Sequence, residues 1–478
     1  MNYRAIFYTL GCVLNVEAIC MLLPLLCASI YRDNMFLTFL ACILICAFIG
    51  IALLIKKPKR KTIYAKEGLL IVALSWITIS IFGALPFVFS GYIPNFIDAF
   101  FETVSGFTTT GASILADVEA LPKSLIFWRS FTHWIGGMGV LVFLVALLPL
   151  SGGSNMYLIR AESPGPSVSK LVPKVRSTAM ILYGVYILLS IIEVILLLLG
   201  KLSLFEALTL TFGTAGTGGF GIVNSSIADY SPYIQTVIGI FMMIFGIDFS
   251  VYYLLLLRKF RDAFRSEEVK AYLGIIATST LLIAINIFSV FGTLKESLRH
   301  AFFQVASVIT TTGYATFDFE IWPSFSKTIL VMLMFVGACA GSTGGGIKVS
   351  RILIYLKCIV KEIKVSLHPN TIYKIKMNNR TIEHEVIRST NVFMTAYLMI
   401  FAFSILIISL DNFDFTTNFT ATLATMNNIG PGLNGVGPTQ NFSIYSPLST
   451  LILSLNMLAG RLEIFPMLVL LSPQAWKK

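Results

Sequence analysis

Apolar runs of about 20 residues recur along this chain, and a helix of that length spans the roughly 30 Å of hydrocarbon in a bilayer. Two come first, near 5–30 and 35–55. A pattern then recurs four times: an apolar run, a shorter semi-apolar segment ending in Thr and Gly, and a second apolar run. The first runs lie near 67–90, 178–200, 271–292 and 388–410, and the second near 125–149, 233–257, 327–357 and 447–471. The pattern predicts an all-α integral membrane protein with about ten spans: two leading helices (1–62) and four helix–loop–helix units (63–160, 161–265, 266–366 and 367–478). The first run is interrupted by Glu17 and Pro24 and carries no clear small-residue cleavage site, so it is expected to be retained.

Composition agrees with that class. Hydrophobic residues make up 56% of the chain and charged residues 12%, whereas a soluble domain carries about 25% charged residues. The net charge of +11 would fit a nucleic-acid binder if it were spread over one face. Instead six basic residues fall in 56–66, four in 160–176, five in 258–270 and nine in 348–388, while the alternate loops are poor in Lys and Arg. This is the positive-inside pattern, with both termini cytoplasmic, and it excludes a nucleic-acid face. The seven cysteines lie in or beside apolar runs without a CxxC pair, so they read as packing residues. The four histidines are too dispersed for a metal site.

The short segments carry the chemistry. In the first, Ala99-Phe-Phe begins twelve residues before Gly111, and in the third, Ala301-Phe-Phe begins twelve before Gly313. The second and fourth copies, ending at Gly218 and Gly430, are looser. About 11 residues of helix cover only ~17 Å, so each segment must enter and leave on one side. Non-helical backbone at that depth survives only where it lines a water- or ion-filled path. Four such loops around one axis predict a pseudo-fourfold ion pore. Its filter would be Thr108, Thr109, Thr110 and Gly111; Ala215, Gly216, Thr217 and Gly218; Thr310, Thr311, Thr312 and Gly313; and Asn427, Asn428, Ile429 and Gly430. Rings of backbone carbonyls, aided by threonine hydroxyls, can replace the water of a potassium ion. The helix C-termini aimed at the site favour cations. Acidic residues of the outer loops, among them Glu102, Asp117, Glu119 and Glu320, are expected to raise the local cation concentration.

Five motifs, spread over nearly the whole chain, carry a family resemblance: Ser105-Gly-Phe-Thr-Thr-Thr-Gly-Ala112, His133-Trp-Ile-Gly-Gly-Met-Gly139, Ala306-Ser-Val-Ile-Thr-Thr-Thr-Gly313, Gly341-Ser-Thr-Gly-Gly-Gly346 and Gly460-Arg-Leu-Glu463. The chain resembles the TrkH family of bacterial Trk potassium-uptake systems, in the Trk/Ktr/HKT superfamily, and the two leading spans are similar to TrkH-like rather than KtrB-like members. The resemblance implies potassium uptake across the bacterial inner membrane. It also implies a homodimer of pores in membrane lipid and a cytosolic regulatory subunit of TrkA type, which would hold the nucleotide, with K⁺ ions and no organic cofactor on this chain. In the superfamily a serine at the first filter glycine goes with sodium preference, so Gly111 favours potassium. Sodium permeation, or Na⁺- or H⁺-coupled potassium transport, is the alternative within the superfamily. The second and fourth segments depart from the triple-threonine pattern.

Two features lie deeper. The run beginning near Lys327 is broken by Gly341, Ser342, Thr343, Gly344, Gly345 and Gly346, roughly 20 Å below the outer end. Four glycines in six residues do not hold a helix, since each costs about 1 kcal/mol. This reads as a flexible loop gating the path below the filter, as the resemblance also implies; a packing kink is the plainer reading. A phosphate-binding loop is excluded, because Ile347 separates the last glycine from Lys348. Gly216-Thr-Gly-Gly-Phe-Gly221 has dinucleotide-loop spacing but no strand before it. Arg461 falls at a depth similar to the glycine run, where a charge costs about 2.5–3.5 kcal/mol on insertion scales and usually faces a cavity or partner. It is expected either to act on the gate or to form an ion pair with Glu463 or Glu193. No paired carboxylates, HExxH motif or Cys/His cluster suggests an enzyme. The same-sense repeats argue against the inverted repeats of many coupled transporters.

Overall fold

The computed structural model describes residues 1–58, 64–139, 175–370 and 373–477. Apart from one two-stranded hairpin, the regular elements are helices. The leading part comprises α1 (Tyr3–Cys20), α2 (Leu22–Tyr31) and α3 (Phe36–Leu54). Next come α4 (Ala65–Gly83), α5 (Leu85–Ser90), α6 (Phe96–Phe107) and α7 (Lys123–Gly137). Then follow α8 (Val175–Leu199), α9 (Leu204–Gly216), α10 (Pro232–Phe245), α11 (Phe249–Leu256) and α12 (Phe260–Ala263). The third group is α13 (Glu267–Asn286), α14 (Phe288–Phe291), α15 (Leu294–Ile309), α16 (Ser324–Val336) and α17 (Val349–Leu367), with β1 (Lys376–Met377) and β2 (Arg380–Thr381) after it. The chain closes with α18 (His384–Ile408), α19 (Phe415–Met426), α20 (Pro447–Arg461), α21 (Phe465–Leu471) and α22 (Pro473–Trp476).

Six stretches among the described residues are long and apolar enough to cross a membrane: Tyr3–Tyr31, Phe36–Leu54, Ala65–Ser90, Ser177–Leu199, Glu267–Asn286 and His384–Asp411. A seventh would be α10 with α11, bent by 91°. The sequence pattern expected more continuous second helices. The structure interrupts three of them, with α10 ending at Phe245, α16 at Val336 and α20 at Arg461, and α7 ends at Gly137, two residues before the described stretch stops. Only the interruption after α16 was expected, and it starts earlier, at Gly337, with the 341–346 run in its middle. Each of these helices has 13–15 residues, about 20–22 Å of rise, so all four stop at a similar depth.

The four short helices begin on polar caps suited to their first free N–H groups. Asn95, Ser203, Thr293 and Asp414 each accept from a first-turn amide of α6, α9, α15 and α19. Eight helices pack in a closed circle, α6–α7–α9–α10–α15–α16–α19–α20 and back to α6. The longer apolar helices expose large side chains such as Phe48, Leu199, Ile285 and Leu406, as expected of surfaces that face lipid rather than water.

Helices α1 and α3 pack through small residues. A Cβ added at Gly11 would lie 2.8 Å from the Gly50 carbonyl oxygen, and one at Gly50 would strike the Asn15 amide. Such close approach substitutes for the missing hydrophobic drive between helices in lipid. Gly50→Val should therefore destabilise this helix pair by about 1–3 kcal/mol. Thermal unfolding of the detergent-solubilised protein should show a lower Tm than wild type.

Candidate functional site

The short helices end alike. After each, one residue adopts left-handed backbone: Thr109 (φ 55°), Thr217 (55°), Thr311 (58°) and Asn428 (55°). Two residues later a glycine does so: Gly111 (81°), Gly219 (75°), Gly313 (90°) and Gly430 (101°). Hydrogen bonds repeat the register. Thr110, Gly218, Thr312 and Ile429 each donate a backbone N–H to the residue five before them, at 2.8–2.9 Å. The second segment is thus shifted by one from the sequence alignment. Gly219, not Gly218, matches Gly111, and the equivalent stretch is 216–219, with Ala215 still in α9. The sequence offered two adjacent glycines; the backbone selects the one that takes positive φ.

The segments touch in cyclic order. A Cβ on Gly111 would collide with the Gly218 carbonyl oxygen, one on Gly219 with that of Thr312, and one on Gly313 with that of Ile429; one on Gly430 would lie 2.9 Å from that of Thr110. Side chains brace the circle. Thr108 and Thr110 hydroxyls pair at 2.8 Å, as do those of Thr310 and Thr312. In the fourth segment asparagines replace threonines: Asn428 donates to Thr110 Oγ1 and to the Met457 carbonyl, both at 2.9 Å, and Asn427 donates to the Tyr397 hydroxyl at 2.8 Å.

The outer loops are tied in the same order. Asn224 accepts from the Val118 amide and donates to Glu119 and Asp117 at 2.8–2.9 Å. Ile227 N–H reaches the Ala315 carbonyl at 3.0 Å, Asn434 N–H reaches Glu320 at 3.1 Å, and Phe442 N–H reaches the Ser113 carbonyl at 2.8 Å. Asp117, Glu119 and Glu320, expected to raise the local cation concentration, are thus cross-links between the outer loops. The Asn224 amide beside Asp117 holds its carboxyl below the ordinary carboxylate range, so it stays charged.

Glu102 departs from expectation. It is buried, paired with Arg129 Nε at 2.5 Å, and accepts from Ile114 N–H at 2.9 Å. Arg129 also donates to the Gly221 carbonyl at 2.8 Å and stacks 3.5 Å over Phe220. Removing either charge would strand the other without water, so this pair braces the first and second segments rather than drawing ions. His133 belongs to a motif but had no assigned role. Its Nδ1 lies 2.7 Å from the Gly106 carbonyl, and Phe220 N–H donates to its Nε2 at 3.3 Å, which places the proton on Nδ1. The absent side chain at Gly218 makes room for its ring.

Below the circle lies the non-helical stretch 337–348. Gly345 N–H donates to Thr311 Oγ1 at 2.6 Å; a Cβ on Gly344 would lie 2.9 Å from the Thr310 carbonyl oxygen, and one on Gly345 2.6 Å from that of Asn427. The stretch therefore lies against the inner ends of the third and fourth segments. Two cations hold it. Lys348 donates to the Gly344 carbonyl. Arg461 donates to the Thr343 carbonyl at 2.7 Å, and to those of Gly136 and Gly137 at the end of α7. The alternative reading paired Arg461 with Glu463 or Glu193. Glu463 receives a two-pronged bond from Arg351, with Nη2 at 2.5 Å. Ser342 bonds the Cys339 carbonyl, and Gly341 accepts from Phe249 N–H. Asp248 caps α11, bonding Ser250 N–H at 2.8 Å. Glu17 and Glu193 are buried.

Comparison with known proteins converges on one family. The TrkH family profile, described as cation transport protein, matches residues 33–291 and 288–478. The chain is 37% identical to the Trk system potassium uptake protein TrkH of Escherichia coli K12, over the full length of both. It is 31% identical to TrkG of the same organism, covering 100% of this chain and 99% of that one. The crystal structure of the potassium transporter TrkH from Vibrio parahaemolyticus superimposes with a TM-score of 0.90 at 30% identity, over the full length of both chains. This chain belongs to the TrkH family of cation transport proteins, which are membrane transporters and not enzymes.

Proposed function

We propose that this protein takes up potassium ions through a filter formed by the four segments Thr108–Gly111, Gly216–Gly219, Thr310–Gly313 and Asn427–Gly430. The observation that carries the proposal is their cyclic contact, with a matching pair of left-handed residues in each segment. Backbone of this kind at membrane depth is expected to line an ion path. Helix ends arrive at all four segments, so their partial negative charges reinforce a cation there. The buried Thr109 hydroxyl and the side-chain oxygens of Asn427 and Asn428 have no hydrogen-bond partner, leaving oxygen atoms free for a ligand. The relatives' names specify potassium uptake. On this reading, 1–62 is a leading hairpin, and 63–160, 161–265, 266–366 and 367–478 are four pore units of an inner-membrane protein with cytoplasmic termini. Gly111→Ser and Gly313→Ser should each lower the K⁺/Na⁺ flux ratio by about tenfold, because a side chain must displace a neighbouring carbonyl. Tracer flux in liposomes under K⁺, Rb⁺, Na⁺ and Li⁺ gradients measures this, and unchanged ratios in both variants would refute the filter.

The stretch 341–346, with Arg461, acts as the gate. Its support is position: it lies under the segments and is held by the Arg461 and Lys348 bonds to its carbonyls. Hydrogen bonds from a charged donor contribute about 1.5–3 kcal/mol each, so freeing the loop should raise potassium flux roughly tenfold or more. Deleting 342–345 and making Arg461→Ala should both do so, and the combination should be less than additive. Wild-type flux in a folded deletion variant would make the stretch a packing kink.

The protein works as a homodimer on a cytosolic nucleotide-binding subunit of TrkA type. The basic cytoplasmic segments support this. The two longest basic segments, 160–176 and 357–388, are the expected docking loops; 160–174 of the first lies outside the described residues, while the second carries Lys374, Lys376, Arg380 and Arg388 around the β1–β2 hairpin. Reversing the first three of these charges should abolish co-purification of the partner while dimers persist on size-exclusion chromatography. Retention of the partner at normal affinity would move the docking surface elsewhere.

A further inference from the structure

The stretch between α16 and α17 is pinned by a carboxylate from outside it. Glu268, in the first turn of α13, accepts from Ala340 N–H at 2.7 Å and from Ser350 N–H at 3.0 Å, both at Oε1. These two amides flank the glycine run, ten residues apart. Ser350 stands in the first turn of α17, where free N–H groups require acceptors. The residue before that helix, Lys348, has φ 78° and offers no capping oxygen. Its ammonium is engaged at the Gly344 carbonyl instead. The cap must come from elsewhere, and Glu268 supplies it while also fastening the opposite flank. Glu268 is 7% exposed and Ser350 is fully buried.

The adjoining Glu267 faces the cytoplasmic hairpin. Its N–H donates to Asn378 Oδ1 at 2.8 Å, and its carboxylate accepts from Asn378 N–H at 2.9 Å and pairs with Lys357 of α17. Lys357 also reaches the Lys376 carbonyl at 2.6 Å. Asn378 and Asn379 have φ 50° and 62°, the left-handed pair that a tight two-residue hairpin turn uses. Two consecutive carboxylates thus join the intramembrane stretch to the hairpin through one helical turn.

We propose that Glu268 is a positioning residue that staples the two flanks of the 341–346 loop and keeps it beneath the ion path, with Glu267 linking that staple to the hairpin where a cytosolic partner acts. The inference rests on the gating role proposed above and, for Glu267, on the docking surface proposed there. Both bonds use one oxygen that glutamine also presents, so Glu268→Gln keeps the staple and Glu268→Ala removes it. Opening of a bonded amide governs its exchange with solvent. Loss of two bonds to a charged acceptor should accelerate exchange across 338–350 by about tenfold or more.

The test is hydrogen–deuterium exchange on the full-length protein in nanodiscs, with parallel potassium flux in liposomes, for wild type, Glu268→Ala, Glu268→Gln, Glu267→Ala and the 342–345 deletion. Expected results are faster exchange in 338–350 and several-fold higher partner-free flux for Glu268→Ala, with both restored in Glu268→Gln. Glu267→Ala should leave exchange at 338–350 near wild type while reducing the flux change produced by the partner. Unchanged exchange in a folded Glu268→Ala protein overturns the staple, as does a glutamine variant that behaves like alanine. If exchange rises without flux while the loop deletion raises flux, the staple does not act on permeation. If the deletion also leaves flux unchanged, the gating role fails and the staple stands.

Discussion

Backbone that leaves a helix in the buried interior of a membrane protein must find partners within the protein, and this one constraint organises the molecule. Lipid offers no donors or acceptors, so an unpaired peptide group there costs several kcal/mol. Four segments leave helices at similar depth, and each settles against its neighbour, the last against the first. Helix capping at Asn95, Ser203, Thr293 and Asp414, the outer-loop ties and the buried Glu102–Arg129 pair all serve to hold that arrangement. A fifth non-helical stretch, 337–348, meets the same demand differently. Its carbonyls are answered by Arg461 and Lys348, and its flanking amides by Glu268.

The buried charges follow from the same constraint. An arginine or lysine in this setting is tolerable only when its donors are used, and the guanidinium of Arg461 reaches three carbonyls on two elements. Arg351 and Arg129 each find a carboxylate at 2.5 Å.

Much of this was legible along the chain. Apolar runs near 5–30 and 35–55 correspond to α1–α2 and α3, and the spacing of Ala-Phe-Phe to glycine pointed to α6 and α15. What the sequence concealed was set by backbone geometry. Gly218 and Gly219 are equal candidates on paper, and only the positive φ at Gly219 chooses between them. The interruptions at 246–248 and 462–464 contain single glycines or none, so no glycine run announced them. Glu102 looked like a surface carboxylate because its partner Arg129 lies 27 residues away on another helix. Glu268 was hidden likewise: a residue capping a helix 82 positions distant leaves no local signature.

The bond between Asn428 and Thr110 spans 318 positions of chain. Contacts at such separation form late, since a long loop must be closed before they give any return. During synthesis the first segment is therefore inserted long before its second neighbour exists, and it must wait with one flank uncovered. Both members of the buried Glu102–Arg129 pair lie within the first 130 residues, so both are made before either neighbouring segment exists. The circle is thus built as an open arc that grows from one end, and the final quarter of the polypeptide serves as its keystone.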